Sequence, residues 1–228
     1  MGGQACVLYG AAEFSRDTDF AILASHANLS RLRAALAELQ AEVIAVPPFE
    51  LKYLQKGHAI HFRCHVSEAA GMRVDVMTRM RGVDTFAKLW PRRSTLLAED
   101  GTSYELMSLR DLVKAKKTQR DKDWPMIRRL VEADYFKHRE RPKQHQLRFW
   151  FLELRTPELL IELAAGHPEI CRKLIKQRSL IKLAAAGEAT DLIGVLSEEE
   201  RFEREADREY WVPLKAELEQ LRRARLRR

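Results

Sequence analysis

The hydrophobic pattern changes once along the chain, near residue 105, and this change limits the folds that the chain can adopt. Before it, short β-branched or aromatic runs alternate with one helical segment. From Met107 onward, apolar residues recur at helical spacing almost throughout. Strands interleaved with a helix are typical of a mixed sheet. We therefore predict an α+β fold, with a mixed sheet and flanking helices in residues 1–105 and an all-helical C-terminal domain in residues 106–228.

Apolar runs and helical periodicity predict the individual elements of the first region. Four runs read as strands, and one stripe of leucines reads as a helix over residues 29–42. The predicted strands are residues 20–24, 43–46, 58–66 and 72–80. In the second region, the last helix is predicted from Ser197 toward Arg228, with Pro213 kinking or breaking it.

Composition excludes several classes of protein. No stretch approaches the roughly 20 uncharged apolar residues of a membrane helix. The three cysteines are few, odd in number and widely spaced, which predicts reduced, buried thiols in a cytoplasmic protein. Lys and Arg number 40 against 33 Asp and Glu, a net charge of +7. Such a surface attracts phosphate-rich partners, although many proteins carry a similar excess, so both interpretations stay open.

Asp17 and Asp19 are separated by one residue at the head of the first predicted strand. Side chains alternate between the faces of a strand, so both carboxylates point to the same face. Two such carboxylates repel unless a cation or a proton joins them, and hard oxygen ligands favour Mg²⁺ or Mn²⁺. An Asp-X-Asp sequence is also common as a cap, so the spacing alone is a weak signal.

Gly2 and Gly3 open a segment, residues 4–12, that can form a helix. Bare glycine amides at a helix N-terminus let a phosphate approach the backbone closely. The alternative for a glycine pair at this position is a flexible terminus.

Asp75 lies on the face of its predicted strand opposite Val74 and Val76. A carboxylate among apolar neighbours is costly unless it is paired. If this strand lies beside the strand of Asp17 and Asp19, three carboxylates converge and could hold two metal ions for phosphoryl chemistry. The alternative is that Asp75 lies on a solvated sheet face.

These residues together resemble the signature of the DNA polymerase β-like nucleotidyltransferase superfamily. The resemblance rests on Gly2-Gly3, on Asp17-Thr18-Asp19 after thirteen intervening residues and on the strand-borne Asp75. With Gly10 and Arg16 between them, the motifs are similar to those of small bacterial nucleotidyltransferases, which include the abortive-infection type IV toxins. The resemblance implies a nucleotidyltransferase-like sheet in which Gly2 and Gly3 bind the nucleoside triphosphate and the three aspartates bind Mg²⁺ (or Mn²⁺).

A second motif follows downstream, where Lys116, Arg120 and Asp123 are spaced four and three residues apart. This spacing places them on one face of a helix, if the helix continues that far. The alternative from the residues alone is a solvated charged face, with Asp121 or Asp123 capping the next helix. The resemblance implies that Lys116 (or Lys117) and Arg120 face the nucleotide phosphates, with Asp123 as a supporting or catalytic acid.

The resemblance implies a Mg²⁺-dependent enzyme that moves a nucleoside monophosphate from an NTP, ATP among the candidates, to an acceptor hydroxyl. The basic helical half makes RNA, including tRNA, the first candidate acceptor and a small hydroxyl compound the second. Its basic residues include Arg172, Lys173, Lys176 and Arg178, for which a solvated face is the alternative. A toxin-like protein of this kind could also bind a cognate antitoxin-like protein. The competing hypothesis is a non-catalytic regulatory protein that keeps the fold and binds nucleotide or nucleic acid, since only Met1 stands where the superfamily has a strand before the glycine pair.

Overall fold

The computed structural model describes residues 1–227, which form a four-stranded mixed sheet, a two-stranded hairpin and a succession of helices in the C-terminal part. Among these residues, no helix has the length and apolar character needed to cross a membrane. In chain order the elements are α1 (Gly2–Leu8), β1 (Asp17–Ala21), α2 (His26–Glu38), β2 (Glu42–Val43), α3 (Leu51–Lys56), β3 (Ile60–Arg63), β4 (Arg73–Met77), α4 (Phe86–Leu89), β5 (Ser94–Leu97), β6 (Ser103–Leu106), α5 (Leu109–Lys116), α6 (Asp123–His138), α7 (Gln144–Glu153), α8 (Pro157–Gly166), α9 (Pro168–Leu174), α10 (Ile181–Ala186) and α11 (Ala189–Leu226).

The four-stranded sheet has the order β1-β4-β3-β2. Strand β1 pairs with β4 in parallel, whereas β3 is antiparallel to both of its neighbours. The predicted strand pair of residues 58–66 and 72–80 is confirmed with shorter bounds, as β3 and β4. The α+β prediction with C-terminal helices is confirmed at this level of description.

One face of the sheet is apolar and buried. Ile60 and Phe62 of β3 and Val74 and Val76 of β4 alternate along their strands and are each at most 4% exposed. They form a core with side chains of α2 and α3, including Leu29, Leu36 and Leu54. Because side chains alternate, the residues between them lie on the opposite face, and these are polar.

Helix α2 begins at a residue different from the one predicted. The leucine stripe predicted a helix over residues 29–42, but the helix spans His26–Glu38. Ser25 caps it, because the Ser25 hydroxyl accepts a hydrogen bond from the backbone N–H of Asn28 at 3.2 Å. The helix ends before Gln40, which has a positive φ of 48°.

The remaining differences lie at a hairpin and at a proline. Strands β5 and β6 pair antiparallel in a segment for which the sequence predicted no strand. The last helix begins at Ala189 instead of Ser197, and it does not break at Pro213 but continues to Leu226. The prediction of a break was therefore wrong, because a proline removes one hydrogen bond of a helix that has many others on either side.

The described chain forms two compact units. The first comprises residues 1–115 with 208–228, of which residue 228 lies outside the described part, and the second comprises residues 116–207. The sequence predicted one boundary between residues 105 and 106. Helix α11 belongs to both units, because its residues from Arg208 onward belong with the first.

The C-terminal part of α11 contacts the end of α3 within the first unit. Gly57 closes α3 with a positive φ of 108°, and a Cβ added there would lie 3.2 Å from the Tyr210 hydroxyl. The neighbouring His58 is 1% exposed, and its Nε2 lies 2.9 Å from Oε2 of Glu217. The hydrogen bond from His58, and then the one from Lys56, hold the pKa of Glu217 below its ordinary value of 4.5.

We expect the substitution Glu217→Gln to lower the free energy of unfolding of the first unit by about 1 kcal/mol at pH 7. A carboxylate whose pKa is lowered by folding stabilises the folded state above its ordinary pKa, and this contribution is lost as the pH falls through the lowered value. The difference between wild type and variant should therefore be complete at pH 7, shrink below about pH 4.5 and disappear below the lowered pKa of Glu217. Urea titrations at several pH values measure it, with the exposed Glu219→Gln as the control. An unchanged difference at pH 3 would contradict the assigned contact.

Candidate active site

The polar face of the sheet carries the three aspartates selected from the sequence. In the parallel pairing of β1 with β4, the Cα of Asp19 is the partner of the Cα of Asp75, and that of Asp17 is the partner of Arg73. Since paired residues in adjacent strands point to the same face, Asp17, Asp19 and Asp75 share one face. The Asp75 side chain is only 14% exposed, so Asp75 does not lie on a freely solvated surface.

The glycine pair lies directly against this face. Gly2 begins α1 with a positive φ of 66°, and a Cβ built on it would lie 1.8 Å from Oδ2 of Asp19. The backbone N–H of Gly3 donates to the same Oδ2 at 3.3 Å. A Cβ on Gly3 would meet the Ser15 hydroxyl at 2.2 Å. Only residues without side chains therefore allow the Asp19 carboxylate to approach the backbone this closely.

Two further side chains contact the carboxylates. The guanidinium of Arg73 lies between two of them, with Nη1 3.7 Å from Asp17 Oδ2 and Nη2 3.2 Å from Asp75 Oδ2. From the neighbouring strand, His61 Nδ1 lies 2.8 Å from Asp75 Oδ1, consistent with the register that makes His61 the Cα partner of Asp75. Arg73 thus partly neutralises a face that would otherwise carry three negative charges.

The donor set fits a divalent cation in kind, because carboxylate oxygens are the ligands that Mg²⁺ and Mn²⁺ prefer. The arrangement of the side chains is that of an ion-paired cluster. Within residues 1–227, no three side chains of His, Cys, Asp or Glu are grouped so that they could hold a metal ion. Two of the three carboxylates interact with Arg73 instead, so a bound cation would have to compete with its guanidinium.

The downstream motif belongs to the second unit, and Asp123 is its centre. Asp123 is 1% exposed and accepts hydrogen bonds from Lys116 Nζ at 2.9 Å, Thr118 Oγ1 at 2.6 Å and Arg120 Nε at 2.7 Å. Burial alone would raise the pKa of Asp123, but the two cations and the hydroxyl outweigh it and hold the pKa below its ordinary range. Lys117 pairs separately with Glu153 at 2.8 Å.

This arrangement corrects the helical prediction for the motif. Helix α5 ends at Lys116 and α6 begins at Asp123, so Arg120 lies in the connection between them. Lys116, Arg120 and Asp123 do come together, but through ion pairs around a buried carboxylate instead of along one helix face. Asp123 is therefore neither a solvated charge nor a cap.

The basic residues of α9 and its neighbourhood differ in exposure. Arg178 is 7% exposed and donates to the carbonyl oxygens of Phe151 at 3.0 Å and Leu154 at 2.8 Å. This arginine stabilises the helical core and has no surface to offer to a nucleic acid. Lys173 and Lys176 are exposed.

Neither Arg73 nor His61 is a functional candidate on the sequence alone. The same period of two that placed Asp17 and Asp19 on one face also applies to Arg73 and Asp75, so Arg73 could have been found from its spacing. His61 lies within the predicted strand of residues 58–66. Its contact with Asp75 depends on the register between two strands, which spacing within one strand does not reveal.

Comparisons with known proteins found no relative of this chain. The chain matches no family model, no curated protein and no solved structure.

Proposed function

We propose that the protein is a nucleotidyltransferase that transfers a nucleoside monophosphate from an NTP to an acceptor hydroxyl and releases pyrophosphate. The observation that supports this proposal best is the strand register, which brings Asp19 beside Asp75 and leaves Asp17 on the same face. The contact of Gly2 and Gly3 with Asp19 adds to it. This combination matches the resemblance to the DNA polymerase β-like superfamily that the sequence motifs suggest.

The three aspartates and Gly3 each have a role in the proposed reaction. Asp17, Asp19 and Asp75 would hold Mg²⁺ (or Mn²⁺), which when bound would neutralise the triphosphate and favour attack on the α-phosphorus. The N–H of Gly3 orients the Asp19 carboxylate. Asp75 is placed to accept the proton of the attacking hydroxyl as the bond to pyrophosphate breaks.

The second unit carries the downstream motif that the resemblance implies. Lys116 and Arg120 are the candidate cations for the nucleotide phosphates, and Asp123 fixes both of them within their own unit. The acceptor is proposed to be RNA, with tRNA as one candidate and a small hydroxyl compound as the second class. An antitoxin-like protein is the corresponding proposed partner.

A non-catalytic nucleotide-binding or nucleic-acid-binding regulator is the second candidate function. The pairing of Arg73 with Asp17 and Asp75 favours it, because a carboxylate cluster neutralised by a side chain can persist without a metal ion. A protein of this kind would bind its ligand without turning it over.

Incubation with each α-³²P-labelled NTP, Mg²⁺ and either total RNA or small hydroxyl acceptors tests the proposal. We expect label to enter one acceptor class with wild type and transfer to fall at least about a thousandfold in Asp17→Asn/Asp19→Asn, because two of the carboxylates that would hold the metal ion are lost. The double variant Asp100→Asn/Asp191→Asn is the matched control, since it removes two exposed carboxylates elsewhere.

The outcomes separate the two candidate functions. Transfer that survives in Asp17→Asn/Asp19→Asn would contradict the assigned site. Binding of an NTP or of RNA by calorimetry, without transfer to any acceptor, would favour the regulator. If RNA is the acceptor, its binding should weaken steeply between 50 and 200 mM salt, on the order of tenfold or more for several phosphate contacts.

A further inference from the structure

Arg73 is a feature of the polar face that a metal-binding role for its carboxylates does not require. Its guanidinium contacts both Asp17 and Asp75, while its Cα is the partner of Asp17 in the strand register. The Arg73 side chain is 37% exposed and that of Asp17 is 39% exposed. The guanidinium can therefore turn toward solvent without unpacking the buried core on the other side of the sheet.

The contact of Arg73 with the carboxylates opposes the binding of a divalent cation. A divalent cation bound by Asp17 and Asp75 would lie close to the positive guanidinium and would also replace its two ion pairs. Both effects oppose metal binding: movement of the side chain toward solvent removes the repulsion, but the free energy of the two lost ion pairs still counts against the bound state. The Arg73 guanidinium thus places a single positive charge beside the carboxylates, where the proposed reaction needs a divalent metal ion.

We infer that Arg73 is an internal competitor of the divalent cation, which keeps Asp17 and Asp75 paired until a metal ion displaces its guanidinium. This inference rests on the proposed function, because it concerns the regulation of the same site. It makes Arg73 a positioning residue that lowers the intrinsic affinity for metal.

Titration of the full chain with Mn²⁺, followed by the electron paramagnetic resonance signal of the free ion, tests the inference without any assay of activity. We expect Arg73→Gln to lower the Kd for Mn²⁺ about tenfold, the effect of removing one positive charge about 5 Å from a divalent ion in a solvated setting. Arg73→Lys keeps the charge and should stay within about threefold of wild type.

Arg63→Gln is the matched control for the loss of one charge. Arg63 is the Cα partner of Arg73 in the neighbouring strand and is exposed. Among residues 1–227 it forms no ion pair. We expect the Kd of this variant to remain within about twofold of wild type, because its charge is screened by solvent.

Thermal unfolding provides a second measurement on the same proteins. Without metal, Arg73→Gln should unfold at a lower temperature than wild type, since its carboxylates lose their counter-charge. At a fixed Mn²⁺ concentration the metal-induced rise in Tm should be larger for Arg73→Gln, because tighter binding to the folded state stabilises it more.

The results distinguish failure of this inference from failure of the proposed function. If Asp75→Asn weakens Mn²⁺ binding but Arg73→Gln binds with the wild-type Kd, Arg73 does not compete and only this inference is overturned. An equal gain in affinity for Arg63→Gln would also overturn it, as a general effect of charge. If neither wild type nor Arg73→Gln binds Mn²⁺ in a way that Asp17→Asn and Asp75→Asn abolish, the metal site of the proposed function is overturned as well.

Discussion

Replacing Gly2 by alanine is expected to lower the rate of nucleotidyl transfer about a hundredfold, the loss that accompanies misplacement of a reacting group by roughly 1 Å. The new Cβ would lie 1.8 Å from Oδ2 of Asp19, so either the carboxylate or the start of α1 has to move. The core of the sheet lies on the opposite face, so the Tm should change by only a few degrees. Initial rates with the labelled NTP and thermal unfolding measure the two effects.

Gly10→Ala is the matched control for this substitution. Gly10 also has a positive φ, of 76°, but a Cβ built on it has no heavy atom within 4 Å. Both variants therefore carry the same backbone strain of about 1 kcal/mol, and only Gly2→Ala adds the contact with the carboxylate. Equal losses of activity would mean that strain, and not the approach to Asp19, explains the result.

Replacing Asp123 by alanine should lower the free energy of unfolding of the second unit by about 3–5 kcal/mol, the cost of removing one partner from a buried ion pair. The substitution would leave the ammonium of Lys116, 12% exposed, without the carboxylate that it contacts. Thr118 and Arg120 would lose their acceptor as well. Trp124 donates from its indole to the carbonyl of Thr118 at 2.8 Å, so the NMR signal of this indole N–H during urea unfolding follows this region.

Asp121→Ala, two residues away, provides the comparison. Its side chain is 99% exposed and pairs with Arg204, and an exposed ion pair of this kind contributes at most about 1 kcal/mol. A loss for Asp123→Ala no larger than that for Asp121→Ala would contradict a structural role for the buried carboxylate.

The sequence predicted the main architecture because the fold depends on periodic patterns. Alternation in β3 and β4 and the leucine stripe of α2 were visible as spacings, and each appears in the structure with shifted ends. The shared face of Asp17 and Asp19 follows from the same alternation. The hairpin of β5 and β6 was not predicted, since residues such as Leu97 and Tyr104 are 73% and 44% exposed and leave no buried stripe in the sequence.

The relation between strands could not be read from spacing. The convergence of Asp75 with Asp17 and Asp19 was predicted only if their two strands are neighbours. The pairing and register of strands depend on contacts between segments that are far apart in the chain. The same limit hid the contact between His61 and Asp75. For Asp123 the sequence offered either a helix face or a cap, and neither anticipates a buried carboxylate that holds three donors from a short connection.

The last part of α11 belongs to the first unit, and it is synthesised after all the other residues of that unit. Its synthesis therefore determines when the first unit can be completed. The contacts of Lys56 and His58 with Glu217 join residues separated by 161 and 159 positions. Every residue of the second unit is synthesised between them. At about 5–20 residues per second, the ribosome needs on the order of ten to thirty seconds to reach Glu217 after the sheet strands have emerged. During that interval the end of α3, with Gly57 and the buried His58, lacks the helix that covers it, so the nascent sheet is open to chaperones and proteases.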